Sequence, residues 1–271
     1  MTFPRSILFV PANRTAMFAH AWASEAEAVI FDLEDSVPAA QKAAAREAVA
    51  SLRPPEGWTR PIYVRLNAAA TSDFASDVHA VRTAPVQAVV LPKIEDAADV
   101  KTAAQAVPTS LGLILLIETP GGVLRLAELM LNRVPRVAAL AFGAEDYRAG
   151  IGVTELDPAL ADFARASVVN AAAAAGVPAI DAPYLRLDDL ERLRTASRHA
   201  RSLGFKSKFA IHPSQVPIIH EEFAGKEDRE WATRVTEAYE RAKGEGKGSV
   251  ALDGRMIDEA TVKRARDILQ A

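Results

Sequence analysis

The sequence predicts an α/β fold, a (β/α)8 TIM barrel with a C-terminal helical extension, on three observations. Short apolar runs recur at residues 7–10, 28–31, 62–66, 88–91, 113–117, 138–142, 179–180 and 209–211. Alanine-rich stretches with helical spacing lie between them, as at 39–52, 96–107 and 159–175. Strands alternating with helices imply parallel pairing through right-handed crossovers, and eight such units fill roughly 200 to 250 residues. Third, the first run is followed by VPANRT, which lacks the glycine-rich phosphate turn of a doubly wound dinucleotide-binding sheet.

Composition narrows the function classes. At 271 residues and 49% hydrophobic, the chain can fill a substantial core. Its net charge of -3, with basic residues spread among acids, argues against a nucleic-acid surface. No apolar run approaches the roughly 20 residues of a membrane span. The opening MTFPRSILFVPAN lacks a cleavable leader pattern and reads as the first strand. Without cysteine there is no disulfide, thiolate nucleophile or sulfur-ligated zinc, which fits a cytoplasmic enzyme.

In barrels of this kind the chemistry sits where strands end, so the residues after each run form the candidate site. The second run ends in Asp32, Glu34 and Asp35, the third in Arg65 and Asn67, and the fourth in Lys93 and Glu95. Glu118 follows the fifth, Glu145 and Asp146 the sixth, Asp181 the seventh and His212 the eighth. One charge after a strand is ordinary for a solvated loop; a set of ionisable groups at matching positions is not. Arg65 lies inside YVRLN, so its charge must meet a carboxylate or a ligand anion. Hard oxygen donors without cysteine favour Mg2+ or Mn2+, and Mg2+ takes one or two protein carboxylates, a number that Glu118 and Asp146 supply. His212, beside a proline in AIHPSQ, reads as a hydrogen-bonding wall residue.

Beyond His212 the pattern leaves the barrel. A last barrel helix fits 214–223, an amphipathic helix fits 229–243, and a glycine-rich turn region leads to a helix from about Asp258, whose carboxylate can cap it. The expected organisation is a catalytic barrel at 1–224 and an extension at 225–271 that serves as lid or subunit contact.

The chain resembles the citrate lyase β-subunit-like branch of the HpcH/HpaI aldolase superfamily, with malyl-CoA and citramalyl-CoA lyases alongside. The resemblance is carried by RSILFVPAN at 5–13, VIFDLEDSVP at 29–38 with Lys42 and Arg46, VRLN at 64–67, VVLPKIE at 89–95, LLIETPGGV at 115–123, AFGAEDY at 141–147 and AIHPSQV at 210–216. It implies that Glu118 and Asp146 bind Mg2+, with Mn2+ as a substitute, and that Arg65 holds the oxyanion or carboxylate of the keto-acid half. It further implies that Asp32, Glu34 and Asp35 support the metal and its waters, that the backbone of Gly143, Ala144 and Glu145 cradles the substrate carboxylate, and that Arg5 and Lys93 line the mouth or CoA channel. DGRMID at 253–258 is similar to a lid segment that delivers a catalytic aspartate to a neighbouring subunit, which makes Asp258 an acid/base residue in competition with its capping role. The loop ANRTAMFAHA at 12–21 departs from the pattern, lacking the usual glycine and a lysine near His20.

The implied activity is cleavage or formation of a 3-hydroxyacyl thioester, such as malyl-, citramalyl- or citryl-CoA, to or from acetyl-CoA and a 2-keto acid, in a homo-oligomer that is a trimer or hexamer. Three alternatives stand beside it: a citrate lyase β-subunit that acts on citryl-acyl carrier protein with partner subunits, a class II pyruvate aldolase, and a non-catalytic accessory protein.

Overall fold

A computed structural model describes residues 3–131, 136–155 and 158–270. Residues 3–223 form one compact unit with the order β1 (Ser6–Pro11), α1 (Phe18–Ala23), β2 (Ala28–Asp32), α2 (Lys42–Ala50), β3 (Ile62–Arg65), α3 (Phe74–Val81), β4 (Ala88–Leu91), α4 (Ala97–Ala106), β5 (Gly112–Ile117), α5 (Pro120–Leu124), α6 (Leu126–Leu131), β6 (Val137–Phe142), α7 (Ala144–Ile151), α8 (Pro158–Ala175), β7 (Ala179–Asp181), α9 (Leu190–Leu203), β8 (Ser207–Ala210) and α10 (Val216–Phe223). Each strand pairs in parallel with the next, and β8 pairs with β1, so the sheet closes into the expected barrel.

Strands in such a barrel are buried on both faces, which is why they read as unbroken apolar runs. Alternate residues divide the two layers. Ile7, Ile30, Tyr63, Val90, Ile114, Leu116, Ala141, Ile180 and Phe209 fill the barrel interior. Their neighbours Leu8, Val29, Phe31, Val64, Val89, Leu115 and Leu140 face the helices. Each Val, Leu, Ile or Phe side chain among them contributes about 1.5–3 kcal/mol by leaving water.

Local signals set the helix ends. Asp96 accepts from the amides of Ala98 and Asp99 while Asp99 accepts from that of Asp96, a capping box that starts α4. Asp189 caps α9, and Gly204, at φ 111°, ends it in the left-handed conformation glycine adopts freely.

The eighth strand departs from expectation. The sequence places it at 209–211, whereas the structure begins it at Ser207 and so includes Lys208, which is 3% exposed. Polar Ser207 and Lys208 mask the strand, because Lys208 is neutralised inside the protein: Nζ donates to Asp181 Oδ2 at 2.5 Å and to the carbonyl of Ala182 at 2.6 Å.

Residues from Ala224 onward belong to a second compact unit: α11 (Lys226–Gly244), an antiparallel hairpin of β9 (Val250–Leu252) and β10 (Arg255–Ile257), and α12 (Glu259–Gln270). Its core is Ala232, Val235, Ile257, Val262 and Ala265. The hairpin occupies what the sequence reads as a turn region; it reverses at Asp253-Gly254, both with positive φ, the Asp-Gly pair that suits a two-residue loop. Among the described residues no helix is long and apolar enough to cross a membrane.

Candidate active site

The period-two alternation decides which strand-exit residues meet. Asp32, Arg65 and Glu118 fall in step with the interior residues Ile30, Tyr63 and Leu116, so they continue the inner column at the carboxyl rim. Gly143 follows Ala141 in the same way.

Asp32 and Arg65, adjacent in register, form a fork: Nε donates to Oδ1 and Nη2 to Oδ2, each at 2.7 Å. Burial alone would raise the Asp32 pKa, but the guanidinium and the Ser36 hydroxyl hold it below the usual carboxylate range. Arg65 Nη1 also lies 2.9 Å from Glu34 Oε2, a buried oxygen with no aligned hydrogen-bond donor, so this contact is Coulombic. A guanidinium carries five N–H donors, and this arrangement leaves some of them for a ligand. Burial pushes the Glu34 carboxyl upward in spite of Arg65.

Side chains from neighbouring elements fix the loop that carries Glu34. Lys42, on α2, donates to the carbonyls of Leu33 and Glu34 at 2.7 and 2.9 Å. Asn67 Nδ2 donates to the Leu33 carbonyl and to buried Asp77. Asn67 stands in the strand-exit set, whereas Lys42 lies outside it and stands among the residues that carry the family resemblance.

Glu118 faces this loop across the mouth. Its Oε1 accepts from the Lys93 amide at 2.8 Å. Burial, followed by the negative charges of Glu34 and Asp146, pushes its carboxyl up to about 8. Lys93 Nζ lies 3.0 Å from Glu34, 3.6 Å from Asp35 and 4.0 Å from Asp146. Among the described residues, the five carboxylates of Asp32, Glu34, Asp35, Glu118 and Asp146 share the charges of Arg65 and Lys93. Among the described residues no three His, Asp or Glu side chains assemble a complete metal nest. A cation here would rest on two carboxylates, with water or substrate oxygens completing its shell.

A model of the HpcH/HpaI aldolase/citrate lyase family matches residues 5–213. The chain belongs to that family. As a member, it is an enzyme of the lyase class. It is 37% identical to a citrate lyase subunit beta-like protein of Deinococcus radiodurans, over 98% of this chain and 96% of the relative. It is 35% identical to citrate lyase subunit beta of Escherichia coli, over 98% and 92%. A crystal structure of the protein CitE from Mycobacterium tuberculosis, in complex with magnesium, acetoacetate and coenzyme A, superposes with a TM-score of 0.84 at 34% identity, covering 98% of this chain and 97% of that one.

Within this HpcH/HpaI-family chain several expected residues have partners other than a ligand. Arg5 is the main correction. It precedes β1 and therefore sits at the opposite, amino-terminal rim, where its backbone N–H and guanidinium are held by Glu27 and Nη1 reaches the carbonyl of His220. Lys93 does reach the rim, but its ammonium is engaged by carboxylates. Asp181 has the outward parity; it is buried between Lys208 and Arg165, which hold its carboxyl low against the effect of burial. His212 Nδ1 accepts from the Ser214 amide, consistent with a wall residue. The Glu145 side chain is paired with Arg148, so what it can offer a ligand is its amide near the start of α7. Asp258 lies in the second unit and caps α12: Oδ1 accepts from the Thr261 amide at 2.9 Å and from its hydroxyl at 2.8 Å.

Proposed function

We propose that this chain is a Mg2+-dependent carbon–carbon lyase that cleaves, or in reverse forms, a 3-hydroxyacyl thioester, with Glu118 and Asp146 holding the metal. The observation that carries this reading is the surplus of carboxylates at the rim, with Glu118 pushed up to about 8 and Glu34 Oε2 buried without an aligned donor. Such a cluster is completed by a divalent cation, and all-oxygen donors suit Mg2+, or Mn2+ in its place. When bound, Mg2+ supplies Lewis-acid polarisation of the substrate oxygens.

The chain's own residues supply the rest. Arg65, locked in orientation by Asp32 and Glu34, offers its remaining N–H donors to the hydroxyl oxygen of the keto-acid half, which gives its proton to water and becomes the keto-acid carbonyl as the carbon–carbon bond breaks. The amides of Ala144 and Glu145 open α7 without a side-chain cap, so they are available to a substrate carboxylate with the favourable end of the helix dipole. Asp32, Glu34 and Asp35 orient water around the metal. Asp258 gives a proton to the methylene carbon of the departing thioester enolate, and in reverse takes one from the acyl methyl group. Residues 225–271 act as a lid or subunit contact that delivers Asp258 to a neighbouring active site, which makes the working form a homo-oligomer, trimer or hexamer. We place the enzyme in the cytoplasm.

A second reading, action on an acyl group carried by a protein as in a citrate lyase complex, is favoured by one observation: of the two cations expected to contact CoA, Arg5 lies at the other rim and Lys93 is bound by acids. The test is an assay of purified protein with malyl-, citramalyl- and citryl-CoA, with citryl-acyl carrier protein and with hydroxy-keto acids, each with Mg2+ or with EDTA, reading acetyl thioester and keto acid. Metal-dependent release supports the lyase. Cleavage only of carrier-bound citryl supports the second reading, and pyruvate formed from hydroxy-keto acids instead identifies a class II aldolase. Binding of metal and keto acid without turnover of any substrate leaves the accessory role.

A further inference from the structure

Lys93 occupies a backbone position that suits glycine. Its φ is 55°, in the left-handed region where a side chain is strained, and it is one of three non-glycine residues with positive φ among those described. Strain of this kind persists where the surroundings over-determine it, and it clusters at functional sites. Here two contacts do so. The N–H fixes Oε1 of Glu118 at 2.8 Å, and the ammonium spans Glu34, Asp35 and Asp146. Glycine would supply the same N–H without strain, so what lysine adds at this position is the charge.

The three ammonium contacts are unequal. Glu34, at 3.0 Å, is already fixed by Arg65, whereas Asp146, at 4.0 Å, is the loosest. The Lys93 side chain is 41% exposed and ends a flexible four-carbon stem, so it has room to move. A divalent cation and an ammonium beside the same Asp146 carboxylate repel each other, and in a partly buried site this repulsion is large.

We propose that Lys93 is a built-in counter-cation: its ammonium neutralises the acid cluster before the metal arrives and gives up Asp146 when the metal binds. This rests on the reading that Glu118 and Asp146 hold the metal. Lys93 is on this account a positioning residue that lowers metal affinity while keeping the metal-free mouth assembled.

Calorimetric titration with Mg2+, supported by Mn2+ electron paramagnetic resonance, tests it. Lys93→Met should bind Mg2+ about tenfold more tightly than wild type, because a neighbouring positive charge is gone, and its metal-free melting temperature should fall. Lys93→Gly, which keeps the amide donor and relieves the strain, should show the same gain in affinity; Lys93→Arg should return it to the wild-type value. In the wild-type protein, amine-directed labelling of Lys93 read by mass spectrometry should increase on adding Mg2+. Unchanged affinity in both Lys93→Met and Lys93→Gly, with labelling indifferent to Mg2+, overturns the inference and leaves the metal reading standing. Failure of the wild-type protein to bind any divalent cation overturns both.

Discussion

Gly143 and Glu118 are so close that a Cβ on the glycine would stand 2.6 Å from the Cβ of the glutamate. The sixth strand exit thus gives up its side chain to make room for the carboxylate of the fifth. Gly143→Ala must push Glu118 aside, and we expect a loss of about 1–3 kcal/mol from overpacking. Mg2+ affinity should fall with it. Thermal unfolding and calorimetry check the two effects, and a stable variant with normal affinity would refute the contact's importance.

Arg65 and Asp32 are both buried, so removing one leaves the other uncompensated. Asp32→Ala should cost about 3–5 kcal/mol and abolish turnover through misorientation of the guanidinium. Asp32→Asn, which keeps one acceptor, should lose less stability, and urea unfolding of the two variants ranks them.

The role of Asp258 can be separated from its capping. Asp258→Asn retains an oxygen for the Thr261 amide, so α12 should persist, whereas Asp258→Ala loses the cap. Both should retain Mg2+ binding and lose turnover if the carboxylate moves the proton. Mixed oligomers of Asp258→Ala and Arg65→Ala should regain activity where the lid acts in trans; no recovery in verified mixed oligomers refutes that arrangement.

At the amino-terminal rim the Ser6 hydroxyl lies 2.7 Å from His220 Nε2, with Glu27 and Arg5 beside it. Burial lowers the His220 pKa below 6.5, against the opposing pull of Glu27. A base whose folded pKa is depressed favours the folded state while neutral, so its contribution is complete above about pH 6.5. It is lost as pH falls below that value, when the unfolded chain takes up the proton first. Thermal unfolding across pH 5–8 should show this slope in wild type and a weaker one in His220→Gln.

Lys208→Met leaves Asp181 with Arg165 alone, and we expect a stability loss of about 3 kcal/mol. Because this cluster faces the helices, Mg2+ affinity should not change. A changed affinity would connect Asp181 to the mouth and contradict the parity assignment.

That parity was only half available in the sequence. Counting in twos groups Asp32, Arg65 and Glu118 with Ile30, Tyr63 and Leu116, but strands that are apolar on both faces do not say which set is interior, and the structure supplies that choice. Arg5 was legible too, since a residue before a parallel strand lies at the rim opposite the exits. The start of β8 was not, because its Lys208 is tolerated only through a partner 27 residues away. The Asp-Gly of the β9–β10 hairpin was a usable turn signal, obscured by surrounding glycines. Which of its two roles Asp258 plays was undecidable from sequence, since a capping carboxylate and a catalytic one have the same identity and spacing.

The short seventh strand has a mechanical consequence. It shares only two registered residue pairs with β6 and two with β8. At that joint the hoop has few backbone bonds to resist spreading, and Asp181, clasped by Lys208 from the next strand and by Arg165 from α8, carries load that hydrogen-bond ladders bear elsewhere. A barrel pulled or heated toward opening should therefore part first on either side of β7, and a rivet made of charge determines how far it spreads before it fails.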